Sequence, residues 1–254
     1  MASEKGLDPL HQFDIVAYSR ASLGALDVSL TNAGLIMLAG VLLAAGGLAY
    51  AMRSPALVPT RAQSVAEGFY GFVDGMVGGV MGKDGKPFFA FIFTLFSFIF
   101  VVNMLGMFPY FFTPTSHLIV PVALALLVFA MVLVVGFAKS GFGFFKLFFP
   151  SGIPWPLYLI VTPIEVISFF SRPLSHSVRL WANIFAGHLV LKLFAGFSAQ
   201  LTEFGAVGVL GALAPLLLTV AMTALEILVA FLQAYVFAIL TCVYLNDALH
   251  ADHH

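Results

Sequence analysis

Charge is what this sequence lacks most. Of its 254 residues, 9% are Asp, Glu, Lys or Arg and 61% are hydrophobic. Soluble domains carry roughly 25% charged residues. Packing alone cannot hide so much apolar surface from water. The shortage excludes a soluble enzyme, a nucleic-acid binder and a disordered chain. A formal net charge of -1 implies no general attraction to polyanions. Cysteine is nearly missing too. A lone Cys242 excludes an internal disulfide or a cysteine-based metal cluster, and its apolar surroundings read as packing. No basic region leads at once into an apolar core; Glu4, Asp8 and Asp14 stand there instead. Neither a signal peptide nor an Arg-rich transit peptide is expected, so insertion from a bacterial cytoplasm without cleavage is the reading. There is no glycine-rich phosphate loop with a lysine and no metal motif. His250, His253 and His254 read as a solvated end. No cofactor or metal is expected, and any nucleotide chemistry must sit on another subunit.

What is present is a set of long uncharged runs, at 28–52, 87–138, 204–225 and 227–246. A helix crosses about 30 Å of hydrocarbon with roughly 20 apolar residues, so the second run is long enough for two. A barrel would show many polar-alternating strands of about 10 residues and is rejected. The expected fold is an all-α polytopic membrane protein, with about five crossings plus one interfacial amphipathic helix.

Residues 1–29 form an external N-terminal segment. A first membrane helix follows over 30–50, where Gly34, Gly40, Gly46 and Gly47 permit close helix contact. Arg53, Pro55 and Pro59 end it. Residues 61–82 set Val65, Phe69, Phe72, Val73, Met76 and Val77 against Glu67 and Asp74, the pattern of an amphipathic helix in the interface. Residues 88–138 make a helical hairpin turning at Pro114 and Ser116, and 139–156 a re-entrant or interfacial connection. Two long helices fill 157–246. Each has about 40 residues, or roughly 60 Å. That is about twice the hydrocarbon thickness, so they must tilt, kink or run along the membrane. Pro163, Pro173 and Pro215 are candidate kinks. A short cytoplasmic tail, 247–254, ends the chain.

Arg53, Arg61, Lys83, Lys86, Lys139 and Lys146 fall in loops on one side of the early spans. The positive-inside rule puts that side in the cytoplasm and the N-terminus outside. Five crossings then leave the C-terminus cytoplasmic, in a bacterial inner (plasma) membrane.

The early spans are nearly free of ionisable groups, whereas the long pair holds Glu165, Arg172, His176, Arg179, His188, Lys192, Glu203 and Glu226. Intramembrane charges are expensive and face water, a partner or an ion path. Arg179 is the foremost candidate because arginine, unlike lysine, does not lose its proton there. A fixed positive charge holds an approaching carboxylate ionised and repels passing cations. The structural alternative is an internal salt bridge to Glu165 or Glu226. Glu165, Arg172 and Arg179 are seven residues apart and share a face, which continues through Ala182, Asn183, Ala186, Gly187 and Val190. Small residues there suit a sliding contact, or else ordinary static packing. Arg172 can instead sit at an interface with its head snorkelling. Thr219, Thr223, Glu226, Gln233 and Thr241 form a polar stripe, with Ala230 its small member. The threonines are weak signals, since their hydroxyls bond to their own helix. Glu226 and His188 make a relay or gating pair if their helices run side by side; the alternative is a static hydrogen bond. His176, one turn before Arg179, can line either of two aqueous routes. Titratable groups on both sides of Arg179 suggest two separate routes rather than one pore.

The segment Arg179-Leu-Trp-Ala-Asn183-Ile-Phe-Ala-Gly187-His188 closely resembles the signature of subunit a of rotary F-type ATP synthases. Glu226-Ile-Leu-Val-Ala-Phe-Leu-Gln233-Ala-Tyr resembles that family's last-helix motif, and Asn103 to Pro109 and Pro9 to Phe13 also look similar. Two independent motifs in the right order make the resemblance specific, and it covers nearly the whole chain. It implies the stator half of a proton-translocating membrane sector, with the last two helices tilted and near-horizontal against a c-ring. It implies that Arg179 faces the ring's carboxylates, and that Asn183, His188, Glu226 and Gln233 belong to the external half-channel and ring contact. Glu165 would lie near the cytoplasmic half-channel. The implied ion is H+. The implied partners are the c-ring, peripheral-stalk b-type subunits, the remainder of the complex and membrane lipid, with no nucleic acid. Some bacterial members carry a carboxylate in place of His188 and an imidazole in place of Glu226. The present order looks more like mitochondrial and alphaproteobacterial members. The competing readings are a secondary proton or cation transporter coupled through Glu226 and His188, and a structural subunit whose charges only orient assembly.

Overall fold

The computed structural model describes residues 15–250 apart from 20, 21, 24, 25, 28, 54, 109, 110 and 150–154. Its long elements are all helices. Among the described residues, four short strands precede them: β1 (Ala17–Ser19), β2 (Ser22–Leu23), β3 (Leu26–Asp27) and β4 (Leu30–Thr31). Helices follow at α1 (Asn32–Ala51), α2 (Arg61–Met81), α3 (Phe89–Gly106), α4 (Ile119–Ser140), α5 (Trp155–Thr202) and α6 (Gly205–Leu249). Short 3-10 turns occupy Gly82–Phe88, Pro114–Ser116 and Gly141–Phe148. Five helical stretches are long and apolar enough to cross a membrane: Asn32–Ala51, Arg61–Gly106, Ile119–Ser140, Pro156–Thr202 and Val207–Leu249.

Several details differ from the sequence reading. The strands fall in the segment read as external and mixed; two- and three-residue strands are too short to show a period of two. Pro163 and Pro173 lie inside α5 and Pro215 inside α6, where a kink leaves the helix continuous. Helix α6 also extends into the stretch 247–254 read as a tail, so Asp247 is helical; residues 251–254 lie outside the described residues. The 3-10 turn Gly141–Phe148 fills part of the connection read over 139–156.

The chain divides into two compact units. The first gathers the described part of Met1–Ala44 with Phe98–His117 and Leu180–Gln233. Here β1 pairs antiparallel with β4, Ala17 opposite Thr31, and β2 pairs with β3. Thr31 then caps α1, its Oγ1 accepting the Gly34 N–H at 3.2 Å. The Asn32 carboxamide oxygen accepts the N–H of Ala33 at 2.9 Å and that of Val16 at 3.3 Å, tying the ribbon to the helix start. Of the four glycines read as contact points in α1, Gly40 is the one pressed against α3. A methyl group there would sit 2.7 Å from Val102 Cγ2, whereas Gly46 and Gly47 face open space. Asn103, near the end of α3, and Thr115, beyond it, are buried, and the Thr115 hydroxyl donates to Asn103 Oδ1 at 3.0 Å.

The second unit gathers Ala45–Ser97, Leu118–Arg179 and Ala234–His254. Thr60 caps α2, and buried Gln63 closes the preceding turn through both Ala56 backbone groups while donating to Glu67 at 2.7 Å. Of the apolar face read over 61–82, Val73, Met76 and Val77 are buried, while Val65 and Phe72 are exposed. Its rings meet α3 through Phe69–Phe93 and Phe72–Phe96, at 5.6 and 5.8 Å between centroids. Gly141, at φ +53°, ends α4 in a conformation that favours glycine, and its N–H returns to the Phe137 carbonyl. The chain then folds Phe144 onto Gly136, where any side chain would collide with the ring.

Candidate functional site

The site in the first unit starts from a tight reversal. After Thr202 the chain turns through Glu203 and Phe204, whose N–H groups bond to Gln200 and Leu201. Gly205 takes φ +75°, a left-handed conformation that L side chains resist. Ser198 donates to the Ala212 carbonyl at 3.2 Å across the turn. The arms of this hairpin run side by side, the condition the sequence reading set for His188 and Glu226 to meet.

They do meet. His188 Nδ1 lies 3.8 Å from Glu226 Oε2, both side chains nearly buried. That is longer than a hydrogen bond but close enough for a modest side-chain rotation to make one. Neither Glu226 oxygen has another hydrogen-bond partner among the described residues. Gly187 makes the approach possible, since its missing side chain leaves the space the Glu226 carboxylate fills. The other imidazole nitrogen, Nε2, is 3.2 Å from the Thr113 hydroxyl. One side of His188 opens onto a cavity of about 1110 Å³, which Thr113, Lys192, Thr219 and Thr223 also line; Glu226 does not.

Two turns further along α6, Gln233 is buried and accepts a hydrogen bond from Asn183 Nδ2 at 3.3 Å. Asn183 and Ala186 are exposed, so the small-residue lane divides: Gly187 faces α6, and Asn183 and Ala186 face outward. The threonines of the stripe bond to their own helix, Thr219 to Pro215, Thr223 to Thr219 and Thr241 to Phe237, each at 2.8 Å. Thr219 and Thr223 add polarity to the cavity wall without being relay groups in themselves.

In the second unit, Arg179 is exposed in the middle of a 48-residue helix, flanked by exposed Val178 and buried Leu180. Within that unit and among the described residues it makes no ion pair, so the alternative bridge to Glu165 is not formed. Glu165 is half-buried. His176 is buried, edge-on to Phe237 at 4.7 Å and tilted against Tyr244 at 5.1 Å between centroids. Arg172 pairs with Asp247 at 3.0 Å and lies 4.8 Å over the Tyr244 ring.

Two partners escaped the sequence reading. Thr113 sits in a stretch read only as a turn, 75 residues before His188, and no periodicity links a turn hydroxyl to so distant an imidazole. Asp247 was counted with the tail, although its i, i+3 spacing from Tyr244 would have put both on one face of a longer α6.

An imidazole and a carboxylate facing each other inside a membrane helix pair, the imidazole on a cavity wall, fit an ion-translocating membrane subunit. The family described as ATP synthase A chain matches residues 33–246. The chain is 56% identical over 248 residues to ATP synthase subunit a of Hyphomonas neptunium, covering 98% of each chain. It is 54% identical over 253 residues to that of Mesorhizobium japonicum, covering 100% of both. To that of Allorhizobium ampelinum it is 56% identical over 247 residues, covering 97% of this chain and 99% of the relative. The chain belongs to the ATP synthase A chain family.

Proposed function

We propose that this chain is the stationary subunit that offers two offset proton half-channels to a c-ring, in proton-driven ATP synthesis or its reversal. It is a multi-pass protein of a bacterial inner membrane and works with the c-ring and the rest of the ATP synthase complex. The observation that carries the mechanism is the exposed Arg179, flanked along the helix by Val178 and Leu180 and without an ion-pair partner among the described residues of its unit. Such a charge is tolerated where an opposite charge arrives from another subunit. Each ring carboxylate stays ionised beside Arg179, takes a proton from the external route through His188 and Glu226, and then crosses the lipid face as a neutral acid. The proton leaves on the cytoplasmic side near Glu165. His176, one turn before Arg179, backs that segment. Asn183 and Gln233 hold the helix surface presented to the ring.

In this reading the N-terminus is outside, the C-terminus is cytoplasmic, and b-type peripheral-stalk subunits hold the chain against rotation. A secondary transporter coupled through Glu226 and His188 is not favoured, because family membership extends over 33–246. The test is Arg179→Ala in the assembled complex. ATP-driven pumping and proton-driven synthesis in vesicles should both be lost while subunit stoichiometry holds. Retained coupled synthesis defeats the proposal.

A further inference from the structure

The imidazole of His188 has two nitrogens, and its partners decide which one moves protons. Thr113 Oγ1 lies 3.2 Å from Nε2 and also donates to the Gly106 carbonyl at 3.4 Å. A hydroxyl has one hydrogen. When that hydrogen points to Gly106, in the last turn of α3, the oxygen accepts from His188. The Thr113 side chain is held in this orientation: it is 5% exposed, and a methyl group at Gly106 would meet its Cγ2 at 2.7 Å and its Oγ1 at 2.8 Å.

We infer that Thr113 is a positioning residue that fixes neutral His188 as the Nε2–H tautomer, so that Nδ1 alone carries the translocated proton. The inference rests on the proton-path reading above. Nδ1 is the nitrogen 3.8 Å from Glu226. In the inward direction a hydronium delivered from the cavity breaks an O–H bond as the Nδ1–H bond forms, leaving water and imidazolium. The Nδ1–H bond then breaks as an O–H bond forms on the Glu226 carboxylate, and the imidazole returns to its starting tautomer. No ring flip resets the cycle, because the Nε2 proton never leaves its bond to Thr113. Hydrogen bonds from the second ring nitrogen set histidine tautomers elsewhere in the same way.

Two substitutions separate this role from packing. Thr113→Val keeps the shape and loses the hydroxyl, while Thr113→Ser keeps the hydroxyl and loses the methyl group. Proton-driven ATP synthesis is measured per assembled complex in proteoliposomes, with Glu226→Gln alongside. Thr113→Val should slow synthesis roughly three- to tenfold, the rate equivalent of one hydrogen bond, with Thr113→Ser within about twofold of the unmodified complex. Serine as slow as valine, or valine as fast as the unmodified complex, overturns the inference. If Glu226→Gln slows synthesis while Thr113→Val does not, the tautomer control alone fails; if neither does, the proton path fails with it. Should Thr113→Val not assemble, the unmodified complex still decides. Nitrogen NMR of a histidine-labelled complex, read as the difference from His188→Gln, should show His188 as Nε2–H. A dominant Nδ1–H form overturns the inference.

Discussion

The Glu226 carboxylate occupies the space that a side chain at Gly187 would need: a methyl group built there overlaps Oε1 and stands 3.0 Å from the carboxylate carbon. Glycine at 187 therefore sets how closely Glu226 can approach His188, its sequence neighbour's partner. Gly187→Ala should push Glu226 aside while leaving the helices paired, since one side chain can yield more cheaply than two backbones. A displacement of about 1 Å at a transfer site costs roughly a hundredfold at most. We expect proton-driven synthesis in vesicles to fall at least tenfold on that scale, with subunit a still present in the purified complex. A rate equal to the unmodified complex would show that the contact does not hold the pair in place.

Asn183 and Gln233 sit 50 residues apart, and their carboxamides join at 3.3 Å. The sequence places Gln233 on the polar stripe of the last helix and Asn183 on the small-residue face of the helix before it, and the bond makes them one unit. ATP-driven pumping in Asn183→Ala, Gln233→Ala and the double variant should be non-additive, with a coupling of about 1 kcal/mol. Additive losses would mean that the two side chains act separately.

Much of this site could be read from the chain because membrane insertion leaves few places for charge. Arg179, His188 and Glu226 stand out against uncharged runs, and the 3.6-residue period puts Glu226 and Gln233 on one stripe. The first three crossings follow from the same runs. What could not be read came from groups joined by folding rather than by period. Thr113 reaches His188 from a turn. The pairs β1–β4 and β2–β3 are too short for a pattern. Asp247 looked like part of a tail because it is the first charge after 227–246, yet Arg172 satisfies it inside the helical register.

The Arg172–Asp247 pair gives a prediction about stability. Its side chains are 24% and 33% exposed, so solvent screens part of the attraction. Removing one partner leaves the other half-buried and unpaired; removing both leaves no orphan charge. Arg172→Met should lower the thermal stability of the purified complex's a subunit by about 1 kcal/mol, and Arg172→Met with Asp247→Leu should recover most of it. Arg172 also stacks on Tyr244, so Arg172→Lys should not restore the full value. A double variant weaker than the single one would contradict this account.

Asn103 and Thr115 test the support beneath Thr113. Asn103 is 1% exposed and Thr115 0%, and one hydroxyl-to-carboxamide bond of 3.0 Å joins them. The Asn103 carboxamide nitrogen already lacks a partner among the described residues. Thr115→Val keeps the volume but strands Asn103 Oδ1 in an apolar interior, at a cost of about 1–3 kcal/mol. Thr115→Ser keeps the bond and should cost less. Asn103→Leu with Thr115→Val removes both polar groups and should be milder than Thr115→Val alone, because no buried acceptor is left bare. Thermal denaturation of the purified complex, followed by loss of the a subunit, would rank the three variants. The segment they anchor carries Thr113, so Thr115→Val should also slow proton-driven synthesis, whereas Thr115→Ser should not. A Thr115→Val complex as stable and as fast as the unmodified one would show that this buried bond neither holds the turn nor steadies the hydroxyl facing His188.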